Sequence, residues 1–190
     1  MTSRPPTAVV RALLCAAAAS ALVGTVAPSA AAAPPGYSGY HAVDPKPFQT
    51  YSTYGGAGVQ FTSPSGLLCR IVVISRGEFA YAQCFGALAG VGRADLASIN
   101  TGGAAGFSTS SRSSFLTAQN VGDNGVTTEP ISASGFPALR AGSSLTYTDD
   151  IWSGTCAVDA ARTRCTVTAV TSSGTTVKSF TLGPTASTTS

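Results

Sequence analysis

The chain has 190 residues, with 11 Lys and Arg against 8 Asp and Glu, one His, five Cys and a high share of Gly, Ala, Ser and Thr. The small net charge of +3 supplies no strong field for nucleic acid or anionic lipid. A single His and few charges also leave little for acid–base or metal chemistry.

The first 32 residues have the three parts of a secretory signal peptide. Arg4 and Arg11 give a positive start, Leu13 to Ala27 an uncharged apolar run, and Ser29 to Ala33 small residues for a peptidase. Pro34 would be a poor residue to begin the mature chain, so cleavage is expected after Ala32 and not Ala33, with Ala30 and Ala32 in the two small-residue pockets. The run is short of the roughly 20 apolar residues a membrane span needs, and Pro28 follows it. Cys15 lies inside the run behind Leu14, which does not suit a lipid-modified cysteine. Loss of Arg4 and Arg11 with the leader brings the net charge down to about +1. No integral membrane segment is then expected.

Residues 33–54 hold Pro34, Pro35, Pro45 and Pro47 among Gly and Tyr without periodicity, which predicts an extended linker. The secreted domain is expected over 55–182. Val59-Gln60-Phe61 reads as a short strand and Ser63-Pro64-Ser65-Gly66 as a turn. Leu67 to Ile74 is a β-branched strand, Ser75 to Glu78 a reversal, and Phe79 to Cys84 the returning strand. Centring the reversal on Arg76-Gly77 sets Ile74 opposite Phe79, Val72 opposite Tyr81 and Cys69 opposite Cys84. Facing strands bring such a pair within bonding range. Four cysteines remain once Cys15 leaves with the leader: Cys69, Cys84, Cys156 and Cys165. An even number in an exported chain reads as two disulfides, and of the three possible pairings the local one, Cys69–Cys84 and Cys156–Cys165, is expected. Zinc is disfavoured by the spacing and by the lack of His.

The middle, from about Phe85 to Ala138, is rich in Gly, Ala and Ser. Ala94 to Ile99 predicts a turn of helix, Phe115 to Val121 a strand, and Asp123-Asn124-Gly125 a hairpin turn. Leu145-Thr146-Tyr147 is another strand. A reversal centred on Ala160-Ala161 sets Cys156 opposite Cys165. Thr166 to Thr171, a turn at Ser172-Ser173-Gly174 and Thr175 to Leu182 complete a three-stranded meander. Residues 183–190 read as a disordered Ser/Thr tail. The expected fold is all-β: a small sandwich, or two packed antiparallel sheets, built from disulfide-clipped hairpins over about 55–90 and 139–182, with little helix.

Phe61-Thr62-Ser63-Pro64-Ser65-Gly66-Leu67-Leu68-Cys69, the second Cys at 84, Leu139…Gly142…Leu145, the Cys156-x8-Cys165 pair and the closing Phe180-Thr181-Leu182 strand resemble a family of small secreted actinobacterial proteins of unknown function. The likeness covers about residues 59–182. Leu67-Leu68 stands where that family has Asn-Ile, and an additional Cys pair between the halves is replaced by Ser/Gly-rich sequence. The resemblance implies export, disulfides and a β fold, and carries no catalytic residues.

No catalytic constellation emerges. His41 lies in the Pro-rich stretch, too loosely held for a triad. Asp149 and Asp150 are adjacent and cannot face one another across a sugar as a glycosidase pair must. No metal or cofactor site is expected. Trp152 and Tyr147 beside Asp149 and Asp150 form the candidate binding group, since aromatic side chains can stack on a sugar or anchor a partner. The expected function is a non-catalytic exported domain that binds a partner or ligand at or outside the cell envelope. The alternatives are a secreted hydrolase inhibitor with a protruding loop near Asp123 to Pro130, and a carboxylate-based hydrolase.

Overall fold

The computed structural model describes residues 36–53, 55–122 and 125–190. The leader expected over 1–32 lies outside them. Two short strands, β1 (His41–Ala42) and β2 (Tyr51–Thr53), precede a meander of β3 (Gly56–Thr62), β4 (Leu68–Ile74), β5 (Phe79–Phe85), β6 (Leu96–Asn100) and β7 (Gly106–Ser108). A single helical turn, α1 (Arg112–Phe115), leads into the hairpin β8 (Thr117–Gly122) and β9 (Gly125–Pro130). A second meander follows: β10 (Ser143–Asp149), β11 (Trp152–Val158), β12 (Thr163–Thr171), β13 (Gly174–Leu182) and β14 (Ser187–Thr189).

The fold is all-β, with two large sheets packed face to face. The N-terminal sheet runs β2-β3-β4-β5-β6-β7, and the C-terminal sheet β1-β10-β11-β12-β13-β14. Alternation sorts the side chains, because successive residues on a strand point to opposite faces. Val59, Phe61, Cys69, Ile71, Val73, Ala80, Ala82, Cys84, Ala97 and Ile99 from one sheet meet Leu145, Cys156, Val158, Cys165, Val167, Phe180 and Leu182 from the other in one buried core. The sheets approach closely where β11 crosses β4. A Cβ added to Gly154 would sit 2.2 Å from Ile71 Cγ2, so this position needs a residue without a side chain.

Both expected hairpin registers are present. Ile74 pairs with Phe79, Val72 with Tyr81, Cys69 with Cys84, and Cys156 with Cys165. The disulfides are Cys69–Cys84 and Cys156–Cys165, each with Cα atoms 4.1 Å apart. The Ser63–Gly66 turn closes through the Gly66 N–H donating to the Ser63 carbonyl at 2.9 Å, with Gly66 at φ 84°. Asp159 Oδ1 accepts from the N–H groups of Ala161 and Arg162 at 3.1 and 2.7 Å and stiffens the second reversal.

Three expectations are corrected. Residues 36–53 are not a free linker. Tyr37 is buried and its hydroxyl hydrogen-bonds Thr166 Oγ1 at 2.6 Å, β1 runs parallel to β10, and β2 pairs with β3. The aromatic side chains find apolar cover on the sheets, which outweighs the extended preference of the prolines. Residues 183–190 are not a loose tail either. β14 pairs with β13 and Ser190 exchanges backbone hydrogen bonds with Ser179, satisfying an edge that would otherwise be bare. Finally, the stretch expected as helix over Ala94 to Ile99 is strand β6. Ala97 and Ile99 are fully buried while their neighbours are less so. That period of two pairs with β5 and prevails over the helix propensity of Ala and Leu.

Candidate functional site

The outer face of the N-terminal sheet decides where a site can form. It carries Leu68, Arg70, Val72 and Ile74 from β4, which is buried along its whole length. A third layer, made from residues between the two meanders, accounts for this. Phe115 of α1 and Phe136 pack with Leu68, Phe85 and Leu96 at one end of the face. Ala118 of β8 and Ile131 pack with Tyr51, Val72 and Ile74 at the other. Tyr51 Oη also accepts from the Gln119 N–H at 3.4 Å, tying the hairpin to the sheet.

Between these apolar ends runs a polar row. Gln60 pairs with Arg70, Arg70 with Gln83 and Gln83 with Ser98, one residue on each of β3 to β6. Arg70 is only 7 % exposed. Its Nε donates to Gln83 Oε1 at 3.0 Å and its Nη1 to the Thr117 carbonyl at 3.3 Å. Gln83 is itself held by Nε2 donating to Ser98 Oγ at 3.3 Å. The guanidinium carbon lies 4.5 Å from the Phe115 ring centre and 5.9 Å from that of Tyr81, within cation–π range. Gln60 Oε1 accepts from Thr50 Oγ1 at 3.2 Å, while its buried Nε2 has no partner among the described residues.

The hairpin does not close down on the whole face. A cleft of about 560 Å³ remains between it and the sheet, with Arg70, Tyr81, Gln83, Asn100, Gln119 and Phe79 in its wall. None of the lining residues is acidic; Glu78 and Glu129 on adjoining segments are exposed. Burial pushes the Tyr81 phenol well above the ordinary tyrosine range, and the Arg70 charge opposes this only in part. Like any tyrosine, Tyr81 is a neutral hydroxyl at physiological pH. The size falls within the usual range for small-molecule sites, roughly 300–1,000 Å³.

The residues singled out from sequence sit elsewhere. Tyr147, Asp149, Asp150 and Trp152 come together on the β10–β11 hairpin, where Asp149 pairs with Trp152 and Asp150 takes φ 52° in the turn. Tyr147 and Trp152 are half-buried against the rim of the main core, and both acids are exposed. Burial raises the Tyr147 phenol, with Asp149 adding to it. None of the four lines the cleft. Arg70 is not among the residues singled out from sequence. The signal that could have found it is a charged residue inside an otherwise apolar run, Leu67 to Ile74.

His41 is exposed on edge strand β1. Among the described residues no group of three or more His, Cys, Asp or Glu could hold a metal ion, and no helix is long and apolar enough to cross a membrane. No family model matches the sequence, and no curated protein or solved structure is detectably similar to it, so the reading of the site rests on its own geometry.

Proposed function

We propose that this chain is an exported, non-catalytic β-sandwich domain that binds a ligand at or outside the cell envelope, in the cleft between the N-terminal sheet and the β8–β9 hairpin. One observation carries the reading: a polar row on a covered sheet face, buried at Gln60 and Arg70 and half-buried at Gln83 and Ser98, whose Arg70, Gln83 and Ser98 open to a concave space between packed aromatics. Interior sheet faces are ordinarily apolar, and buried polar groups are retained where something pairs with them. The two disulfides suit an oxidising compartment. The leader-like start and the resemblance to small secreted actinobacterial proteins support the same address.

The test is fragment screening by NMR on the secreted protein. Bound fragments are expected to shift the resonances of Tyr81, Asn100 and Gln119 together. Shifts confined to the Tyr147–Trp152 hairpin, or turnover of a glycan, ester or peptide, would replace this reading. The inhibitor alternative draws on strand β9, which is exposed along its length. It calls for stoichiometric inhibition of an extracellular hydrolase that is lost when 125–130 are altered.

A further inference from the structure

Among the described residues, Arg70 is the only cation in the cleft wall. A guanidinium presents five N–H groups and stays charged in proteins. Among the described residues two are used, on Gln83 Oε1 and the Thr117 carbonyl, leaving three. One face of the group is stacked against Phe115, and Gln83 is anchored by Ser98, so the fork is held in place before any ligand arrives. No described carboxylate neutralises it. A buried charge without a counter-charge is costly, and here the missing counter-charge has a space to enter.

The rest of the wall narrows the chemistry. A rigid, planar fork with free N–H groups matches a carboxylate through two parallel hydrogen bonds. One positive charge among neutral amides and hydroxyls balances one negative charge; a phosphate dianion would be left half compensated. Phe79 and Ile74 offer apolar surface and Tyr81 a ring, while Asn100 and Gln119 offer amides for a polar substituent. We infer that the cleft takes a small organic monocarboxylate, its carboxylate on Arg70 and its ring or chain against Phe79 and Tyr81. This rests on the ligand-cleft reading above and specifies the ligand class.

The experiment titrates the full secreted protein with benzoate, 3-phenylpropionate and glucuronate. Benzamide serves as the neutral counterpart and phenylphosphonate as the dianion, with NMR and calorimetry as readouts. At least one carboxylate is expected to bind about tenfold or more tightly than benzamide, perturbing Arg70 Nε–H and Tyr81. Two variants test the anchor. Arg70→Lys keeps the charge but loses the fork, and is expected to weaken carboxylate binding about tenfold. Gln119→Glu places an acid on the cleft wall without touching the core, and is expected to abolish carboxylate binding while the melting temperature holds or rises. Equal binding of acid and amide in the cleft would overturn the ligand class and leave the cleft reading standing. Tighter binding of phenylphosphonate would do the same. Failure of every probe, neutral ones included, to perturb the cleft would remove both. Unchanged carboxylate affinity in Arg70→Lys with a lowered melting temperature would make Arg70 a clamp for the α1 segment only.

Discussion

Tyr81 and Arg70 occupy neighbouring rows of one sheet face, and their chemistry is set by what covers that face. Burial raises the Tyr81 phenol, and burial also raises Tyr37. An unfolded tyrosine ionises near pH 10, whereas the buried ones hold their protons to higher pH. Above pH 10 the unfolded state therefore binds fewer protons than the folded state, and stability falls as pH rises. Below pH 10 the contribution is complete. Melting temperature measured from pH 8 to 12 is expected to stay level and then decline beyond pH 10, and Tyr81→Phe should shallow the decline. Parallel curves for the two proteins would mean the phenol is not buried as described. The polar row itself was within reach of the sequence. Once Cys69 is set opposite Cys84, Arg70 must face Gln83, because in an antiparallel pair each step forward on one strand is a step back on the other.

At the scale of elements, the hairpins β4–β5 and β11–β12 are the units that the cysteines clip. An isolated hairpin is marginal in water. A bridge closing a loop of roughly ten to fifteen residues is worth about 3 kcal/mol through the unfolded chain. Both pairs are also fully buried in the one core, so reduction forces two non-bonded thiols into space packed for a bridge. Reduction is expected to cost about 2–5 kcal/mol per bridge, read from urea unfolding with and without excess reductant. Identical transitions would refute a stabilising role. The bridge Cys69–Cys84 neighbours Arg70 and Gln83 on their strands, and so helps hold the wall of the cleft as well as the core.

For the molecule as a whole, stability is expected to be graded by layer. β4, β5, β11 and β12 lie centrally in the two sheets and carry the disulfides. The hairpin β8–β9 forms its own two-stranded sheet, and the side chains of β9 are exposed throughout. Among the described residues it is held by Ala118, by the bond from the Gln119 N–H to Tyr51 and by the Arg70 bond to the Thr117 carbonyl. Local opening tracks such sparse cover. Native-state hydrogen exchange should show the amides of β8 and β9 exchanging well before those of the four clipped strands. Uniform protection across both would contradict a separable third layer.

Sequence by itself determined the β class, the two clipped hairpins with their registers, and the turns at Ser63–Gly66 and Asp159–Thr163. These are local: turn residues and a period of two act between neighbours in the chain. Tertiary structure alone decided the rest. The proline-rich start became β1 and β2 because Tyr37 and Tyr51 find buried seats on sheets formed by distant residues. The tail became β14 because β13 offers an open edge. The cleft exists because residues 109–122 and 125–138 fold back over a sheet face whose polar row no local pattern assigns to an interior. A side chain's burial depends on what lies above its strand, and that cover comes from a part of the chain with no strong periodicity of its own.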